Sequence, residues 1–297
     1  PHSHAARSIT TLWWVLFVIS TVVVMVVTLL ACLTFLRRRG RLDVVYDRGD
    51  TVRARTVVLI SGAAVPAVIL VCLFVYVLTV VPDTAEPKAT DARMTIDVVG
   101  RQWFWDVRYP AQRIRTANEL HIPVATPVRV HTSTGDVIHS FWVPELNRKI
   151  DLEPDQVNRV ELYADKVGRY RGQCAEFCGL QHAHMGFYVY ADPPAAFARW
   201  LARQRRPATA APGALFMTKC SSCHAIRGTT ADAHVGPDLT HVGSRTSLAA
   251  LTVPNSLVRM EQWLHDPQQV KPGAQMPDLS LTRAQARALA RYLESLK

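Results

Sequence analysis

Two long uncharged apolar runs constrain this chain before anything else in it does. The first, about 12–36 (LWWVLFVISTVVVMVVTLLACLTFL), and the second, about 56–81, contain no Asp, Glu, Lys or Arg. At ~1.5 Å of rise per residue, each as a helix exceeds the ~30 Å hydrocarbon core of a bilayer. Pro66 lies inside the second run; a proline there is costly in a soluble helix but tolerated in a membrane helix. Between the runs lies RRRGRLDVVYDRGDTVRAR, in which Arg37, Arg38, Arg39, Arg41, Arg48, Arg53 and Arg55 outnumber Asp43, Asp47 and Asp50. Short Arg-rich loops stay in the cytoplasm, so residues 1–90 read as a segment carrying a two-span hairpin. Everything after Pro82 is expected on the periplasmic face of a bacterial plasma membrane. A cleaved signal peptide would have a shorter apolar core and no second span. A chain opening on Pro1 is compatible with removal of a precursor segment.

The net charge of +10 suggests nucleic acid as a partner only until it is located. Much of it belongs to the loop between the spans, and residues 91–200 nearly balance acid against base. Nucleic-acid binding is therefore not expected. The six cysteines fall into three pairs: Cys32 and Cys72 in the apolar runs, Cys174 with Cys178, and Cys220 with Cys223. Nothing is left over for a structural disulfide, so in an oxidising compartment the exported cysteines are expected to hold cofactors.

Residues 91–192 alternate in short β-like stretches (MTIDVVGRQWFWDVRYP, ELHIPVATPVRVHTS, DVIHSFWVP, QVNRVELYA, MGFYVYA) broken by Pro, Gly and Asp. That pattern predicts a sandwich or Greek-key barrel. Trp103 and Trp105 alternate about Phe104, which on a strand would turn both indoles to one face. His121 and His131 read as ordinary strand residues. Residues 193–212 predict a short helix followed by a linker (RRPATAAPGA), and residues 213–297 become helical, with Thr282 as N-cap of the last helix.

Within the β region, Cys174-Ala175-Glu176-Phe177-Cys178-Gly179-Leu180-Gln181-His182-Ala183-His184-Met185 gathers thiolate, imidazole and thioether. This soft donor set suits copper, whereas structural zinc is usually completed by Cys and His alone. His139, well upstream, offers a further imidazole. The stretches DVIHSFWVPEL, CAEFCGLQHAHM and GRQWFWDV, together with the two spans, resemble subunit II of the haem-copper cytochrome c oxidases over roughly residues 10–200. The resemblance implies a cupredoxin-fold domain holding the dinuclear copper centre CuA. It makes Cys174 and Cys178 bridging thiolates, His139 and His182 ligands to one copper each, Met185 a weak ligand and Glu176 a ligand through its carbonyl. It further implies that Trp103 receives electrons from cytochrome c, and that the Glu176 side chain reaches a magnesium ion at the interface with subunit I. His184 is expected beside the ligands rather than among them.

Cys220-Ser221-Ser222-Cys223-His224 is the attachment signature of a c-type haem: two thiols add to the vinyl groups and the histidine ligates the iron. Met276, in GAQMPD, is the expected sixth ligand, because Pro277 forces an extended approach. Met217 lies too near the attachment segment and Met260 reads as core. His234, His241 and His265 are the rival distal ligands. Val235-Gly236-Pro237-Asp238-Leu239 resembles the loop of class I cytochromes c whose proline packs near the haem histidine, with Asp238 a turn residue.

The fold class expected is thus a multidomain membrane protein: a two-helix transmembrane hairpin, an all-β cupredoxin-like barrel and an all-α cytochrome c domain. The function expected is electron relay through haem c and CuA to oxidase subunit I, with cytochrome c or a bc-type complex as donor and oxygen reduced in subunit I. The alternatives are the CuA subunit of a nitric oxide reductase and a membrane-tethered copper-delivery protein. The family commonly carries a glutamate where the second span begins; here the sequence reads TVRARTVV, with Asp50 the nearest acid.

Overall fold

An unbroken apolar run has no better use for its backbone polar groups than an internal ladder, and both runs are helical. The computed structural model describes residues 1–38, 51–84 and 92–297. Helix α1 spans His4–Arg38, α2 Thr51–Leu59 and α3 Val65–Thr84, with a π-helical turn at Ile60–Ala64 between the last two. That wider turn directly precedes Pro66, which brings no N–H and whose ring crowds a regular ladder. Both helices are long and apolar enough to cross a membrane. Trp13, Phe35, Leu70 and Phe74 are more than half exposed, as expected of helices that are apolar all round. Most of the Arg-rich loop, with Asp50, and the boundary near residue 90 lie outside the described residues. These helices form one unit and the rest of the chain another.

The β part of the second unit contains β1 (Met94–Arg101), β2 (Phe104–Tyr109), β3 (Ile114–Ala117), β4 (Glu119–Pro123), β5 (Val128–Thr134), β6 (His139–Trp142), β7 (Ile150–Leu152), β8 (Asn158–Leu162), β9 (Gly168–Cys174) and β10 (Gly186–Asp192). They make two sheets, ordered β3-β2-β1-β5-β8 and β4-β10-β9-β6-β7. The chain changes sheets between β3 and β4, so the connectivity is that of a Greek-key sandwich with parallel β1–β5 and β4–β10 pairs. Alternate residues turn inward: Ile96 and Val98 from one sheet, Phe141 and Phe187 from the other, all fully buried. Phe141 and Phe187 stack at 4.7 Å, and Trp105 meets each edge-on. This is the expected cupredoxin-like architecture.

Asp106 of β2 is buried without exposure and accepts from Arg115 on β3 (Nε to Oδ1, 2.7 Å) and from Arg108 (2.7 Å). Burial alone would raise its pKa, but hydrogen bonds and charge from the two arginines more than offset this and hold it below the ordinary 3.8. His121 bonds Asp192 and stacks on Trp200, and His131 bonds Asp97, so both have structural partners.

Helix α4 (Pro194–Gln204) lays Phe197 and Trp200 on the barrel. The run read as a linker is not free: Ala208 N–H donates to Arg227 (2.9 Å), and the Tyr292 hydroxyl donates to the Ala210 carbonyl (3.2 Å). A Pro- and Ala-rich composition concealed these contacts because their partners lie far along the chain. The C-terminal part contains α5 (Ala214–Lys219), α6 (Leu257–His265), α7 (Pro267–Val270) and α8 (Arg283–Ser295), plus a two-stranded scrap of β11 (Ser247–Leu248) and β12 (Val253–Pro254). Thr282 caps α8 in a reciprocal box with Gln285. The buried face of α8 (Ala286, Leu289, Ala290, Leu293) packs with Met260 and Leu264 of α6.

Candidate metal centre and haem pocket

The soft donors converge because of strand register. β6 pairs antiparallel with β9, Phe141 opposite Cys174, and β9 pairs with β10 so that Cys174 N–H donates to the Met185 carbonyl (3.1 Å). Ala175 N–H donates to Ser140 (3.0 Å), extending the first pairing to the mouth of the nest. The connection between β9 and β10 is therefore a loop closed at its base by Cys174 and Met185, with His139 beside it. Cys174 Sγ lies 3.8 Å from Cys178 Sγ, 3.8 Å from His139 Nδ1 and 3.3 Å from the Glu176 carbonyl. Cys178 Sγ lies 3.6 Å from His182 Nδ1 and 3.8 Å from Met185 Sδ. All six sequence-selected donors thus meet around the two sulfurs. His139, Cys174 and Cys178 form the tightest group, all buried. Glu176 is exposed.

Electrostatics explain why this cluster wants cations. The Cys178 hydrogen bond draws the Cys174 thiol down to about 4, with His139 adding to the effect against burial. Cys178 is pushed upward in turn, chiefly because its proton is shared with Cys174 and a second negative charge beside the first is unfavourable. One thiolate forms readily; two require positive charge between them. His139 is raised: burial opposes this, but Asp136 and Cys174 prevail. Asp136 Oδ1 accepts from His139 Nε2 at 2.8 Å, leaving Nδ1 to face Cys174. Such a carboxylate fixes tautomer and ring orientation at a metal site. The donor chemistry therefore fits copper held by both thiolates.

Trp103 occupies the turn between β1 and β2 rather than a strand, which corrects the alternation argument. Its indole still faces the nest: Nε1 donates to the Cys178 carbonyl (3.0 Å), as does Gln102 Nε2 (2.7 Å). Trp105 is core, its Nε1 donating to Met185 (3.3 Å). Gly179 is needed beside them. Its φ is +108°, and an added Cβ would sit 3.1 Å from both Gln102 Nε2 and Trp103 Cζ2. His184 bonds Gln181 through Nδ1 (2.6 Å) and takes no place among the donors.

The second site is a cavity of about 280 Å³ whose wall includes Cys220, Cys223, His224, Pro237, Met260 and Met276. Cys223 and His224 N–H groups both donate to the Cys220 carbonyl, which wraps the three residues into one turn after α5. Burial pushes the Cys220 thiol up to about 11, with Cys223 adding to it, so it stays protonated where Cys174 does not. His224 Nδ1 bonds the Pro237 carbonyl at 2.8 Å, and burial lowers its pKa; Nε2 of a neutral ring is left for a metal. Gly236 makes this possible, since a Cβ there would lie 2.5 Å from His224 Cε1. Arg245 is buried against the same cavity, donates to the Asp238 carbonyl and leaves Nε without a partner. A mostly apolar cavity with two thiols, an oriented imidazole and an orphaned guanidinium nitrogen fits a haem and its carboxylates.

Met276 lines the cavity, its carbonyl held by Gln268 Nε2 (3.0 Å). Met260 also reaches the wall but from the buried face of α6. The rival histidines do not line it: His234 is exposed, His241 bonds Arg206 and His265 bonds Leu281. Asp238 accepts from Thr240 N–H as the turn residue expected.

Sequence reasoning missed Asp136, Arg245 and Lys271. The D-x-x-H spacing before His139 was a usable signal for the first. Lys271 had none. It is buried, its Nζ donates to Trp103, His184 and Ala249 carbonyls, and burial lowers its pKa to about 7 although Cys178 works to raise it.

A cupredoxin-like sandwich with this donor loop, followed by a Cys-x-x-Cys-His helical domain, defines a copper and haem electron-transfer protein. The family models agree: residues 110–191 match the periplasmic domain of cytochrome c oxidase subunit II, and residues 210–297 match cytochrome c. Cytochrome c oxidase subunit 2 of Alkalihalophilus pseudofirmus is 32% identical over 259 residues, covering 83% of this chain and 75% of that protein. The same subunit of Bacillus sp. (strain PS3) is 30% identical over 263 residues, covering 80% and 74%. The solved periplasmic domain of subunit II of cytochrome oxidase (CoxB) of Bradyrhizobium japonicum is 31% identical, with a TM-score of 0.39, over 41% of this chain and 97% of that one. This chain belongs to the cytochrome c oxidase subunit 2 family and carries a cytochrome c domain, which makes it a subunit of a haem-copper oxidoreductase with a periplasmic part.

Proposed function

We propose that this chain is the electron-relay subunit of a membrane-bound cytochrome c oxidase, taking electrons from a donor cytochrome or a bc-type complex and delivering them to subunit I, where oxygen is reduced. Cys220 and Cys223 would hold a c-type haem through thioether links to its vinyl groups. His224 and Met276 would ligate its iron, and Arg245, which lines the same cavity, would offset the charge of a haem carboxylate. His139, Cys174, Cys178, His182, Met185 and the Glu176 carbonyl hold the dinuclear copper CuA, while the exposed Glu176 carboxylate faces subunit I and takes magnesium there. Bound haem and paired copper supply one-electron chemistry.

What the chain itself supplies is position. Rigid β register fixes the copper donors, Asp136 orients His139, and Pro237 orients His224. The observation that carries the reading is that Trp103 belongs to both sites: it lines the haem cavity and donates to the Cys178 carbonyl. A tryptophan shared by the two sites supports a relay between them. The oxidase names of its relatives favour oxygen over nitric oxide as the final acceptor, and a copper-delivery protein would have no use for the haem domain. Purification of the intact complex tests the reading. It should contain haem c and dinuclear copper and consume oxygen with reduced cytochrome c; nitric oxide turnover without oxygen consumption, or a single readily released Cu(I), would refute it.

A further inference from the structure

Lys271 follows α7 and is almost completely buried, 2% exposed. An ammonium has three donors and no acceptor, and here each finds a main-chain carbonyl: Trp103 at 2.9 Å, His184 at 2.7 Å and Ala249 at 2.9 Å. Two of those carbonyls belong to the copper domain and flank the copper nest. The third belongs to the haem domain. No carboxylate is among the three, so the charge is held by backbone dipoles that cannot swing away as a surface side chain would.

The haem-domain acceptor is itself built for this contact. Ala249, Ala250 and Leu251 all adopt left-handed backbone, with φ of 52°, 59° and 65°, a conformation that costs steric energy at each non-glycine residue. The turn presents the Ala249 carbonyl to Lys271 and the Ala250 carbonyl to Gly186 N–H of the copper domain (3.2 Å). Next in sequence, the Pro272 carbonyl accepts from Gln181 (2.6 Å). Beyond it the same segment runs to Met276 on the haem cavity.

Resting on the relay reading above, we propose that Lys271 is the positioning residue that seats the haem domain on the copper domain, fixing the Trp103 main chain against the haem cavity and so setting the rate of internal electron transfer. Lys271 itself lines the haem cavity and bonds main-chain carbonyls beside the copper nest; it acts by holding the wall the two sites share. Losing the tripod takes the lysine donor from the Trp103 and His184 carbonyls, leaves Ala249 with the Thr252 hydroxyl alone and lets the domains separate slightly, and small displacements of reacting partners are costly in rate.

The test uses the intact complex with both cofactors loaded, comparing unaltered protein with Lys271→Met and Lys271→Arg. After rapid reduction of the haem, the transfer to copper is followed optically, and the spectra and midpoint potentials of both centres are recorded. Lys271→Met should leave both spectra in place while slowing haem-to-copper transfer by about tenfold or more, beyond what any change in the recorded midpoint potentials accounts for, and Lys271→Arg should recover part of the rate. An unchanged transfer rate in Lys271→Met, with both cofactors present, overturns the proposal. Should that variant fail to assemble, Lys271→Gln is read by the same two outcomes. Absence of any haem-to-copper transfer in the unaltered complex overturns the relay reading itself, an outcome distinct from a working relay indifferent to Lys271.

Discussion

At the scale of single residues, both centres depend on partners that hold an imidazole rather than on the imidazole alone. Asp136 fixes which nitrogen of His139 faces the sulfurs. Replacing it with asparagine is expected to weaken copper retention by roughly 10–100-fold, measured by chelator competition, with the fold unchanged by circular dichroism. Gly236 holds the His224 ring by having no side chain. Gly236→Ala places a methyl 2.5 Å from His224 Cε1 and should destabilise the haem domain by about 1–3 kcal/mol in thermal unfolding, with a disturbed haem spectrum. Met276→Ala should abolish or shift the low-spin haem spectrum; an unchanged spectrum would mean that another residue, Met260 foremost, is the ligand. The donors were legible in the sequence because Cys, His and Met at fixed spacing have few alternative explanations. Arg245 and Lys271 were not, because a base reveals its role only through what it touches, whereas Asp136 left the D-x-x-H spacing as a signal.

At the scale of elements, patterning announced most of the structure. Alternation gave the strands, the apolar runs gave the two long helices, and Thr282 caps the helix it precedes. The failures have specific causes. Trp103 alternates with Trp105 in sequence but sits in a turn, since a two-residue reversal interrupts the strand without altering composition. The linker RRPATAAPGA is tied at Ala208 and Ala210 to partners far along the chain, contacts that its composition does not announce. The Asp106 cluster is also invisible to pattern, because it joins an acid on β2 to an arginine on β3 on the sheet face opposite the core residues Trp105 and Val107, where Arg115 also meets the His234 carbonyl. Asp106→Asn removes one partner of a buried ion pair and should cost about 3–5 kcal/mol in denaturant unfolding. Its pH dependence has a definite sign. The folded carboxyl is depressed below 3.8, so its stabilisation is complete above that value and is lost as pH falls through the lower folded value. The asparagine variant should lack this component of acid unfolding.

At the scale of the whole molecule, the extracytoplasmic part is one copper domain and one haem domain sharing a wall at Trp103, with Lys271 binding carbonyls from both. Sequence placed the two domains in order along the chain but was silent on their seating, because interdomain contacts such as Lys271 to Trp103, Thr246 to Glu119 and Tyr190 to Thr246 are single long-range pairings that leave no periodicity. The central claim is that electrons reach copper through this haem. The most direct measurement is anaerobic stopped-flow reduction of the intact complex by reduced cytochrome c, with the copper and haem bands followed together, in unaltered protein and in a Cys220→Ala, Cys223→Ala variant. The expected result is haem reduction ahead of copper reduction in the former, and copper reduction slowed by orders of magnitude in the variant although its copper is fully loaded. Copper reduction at an undiminished rate in the haem-less variant would contradict the account.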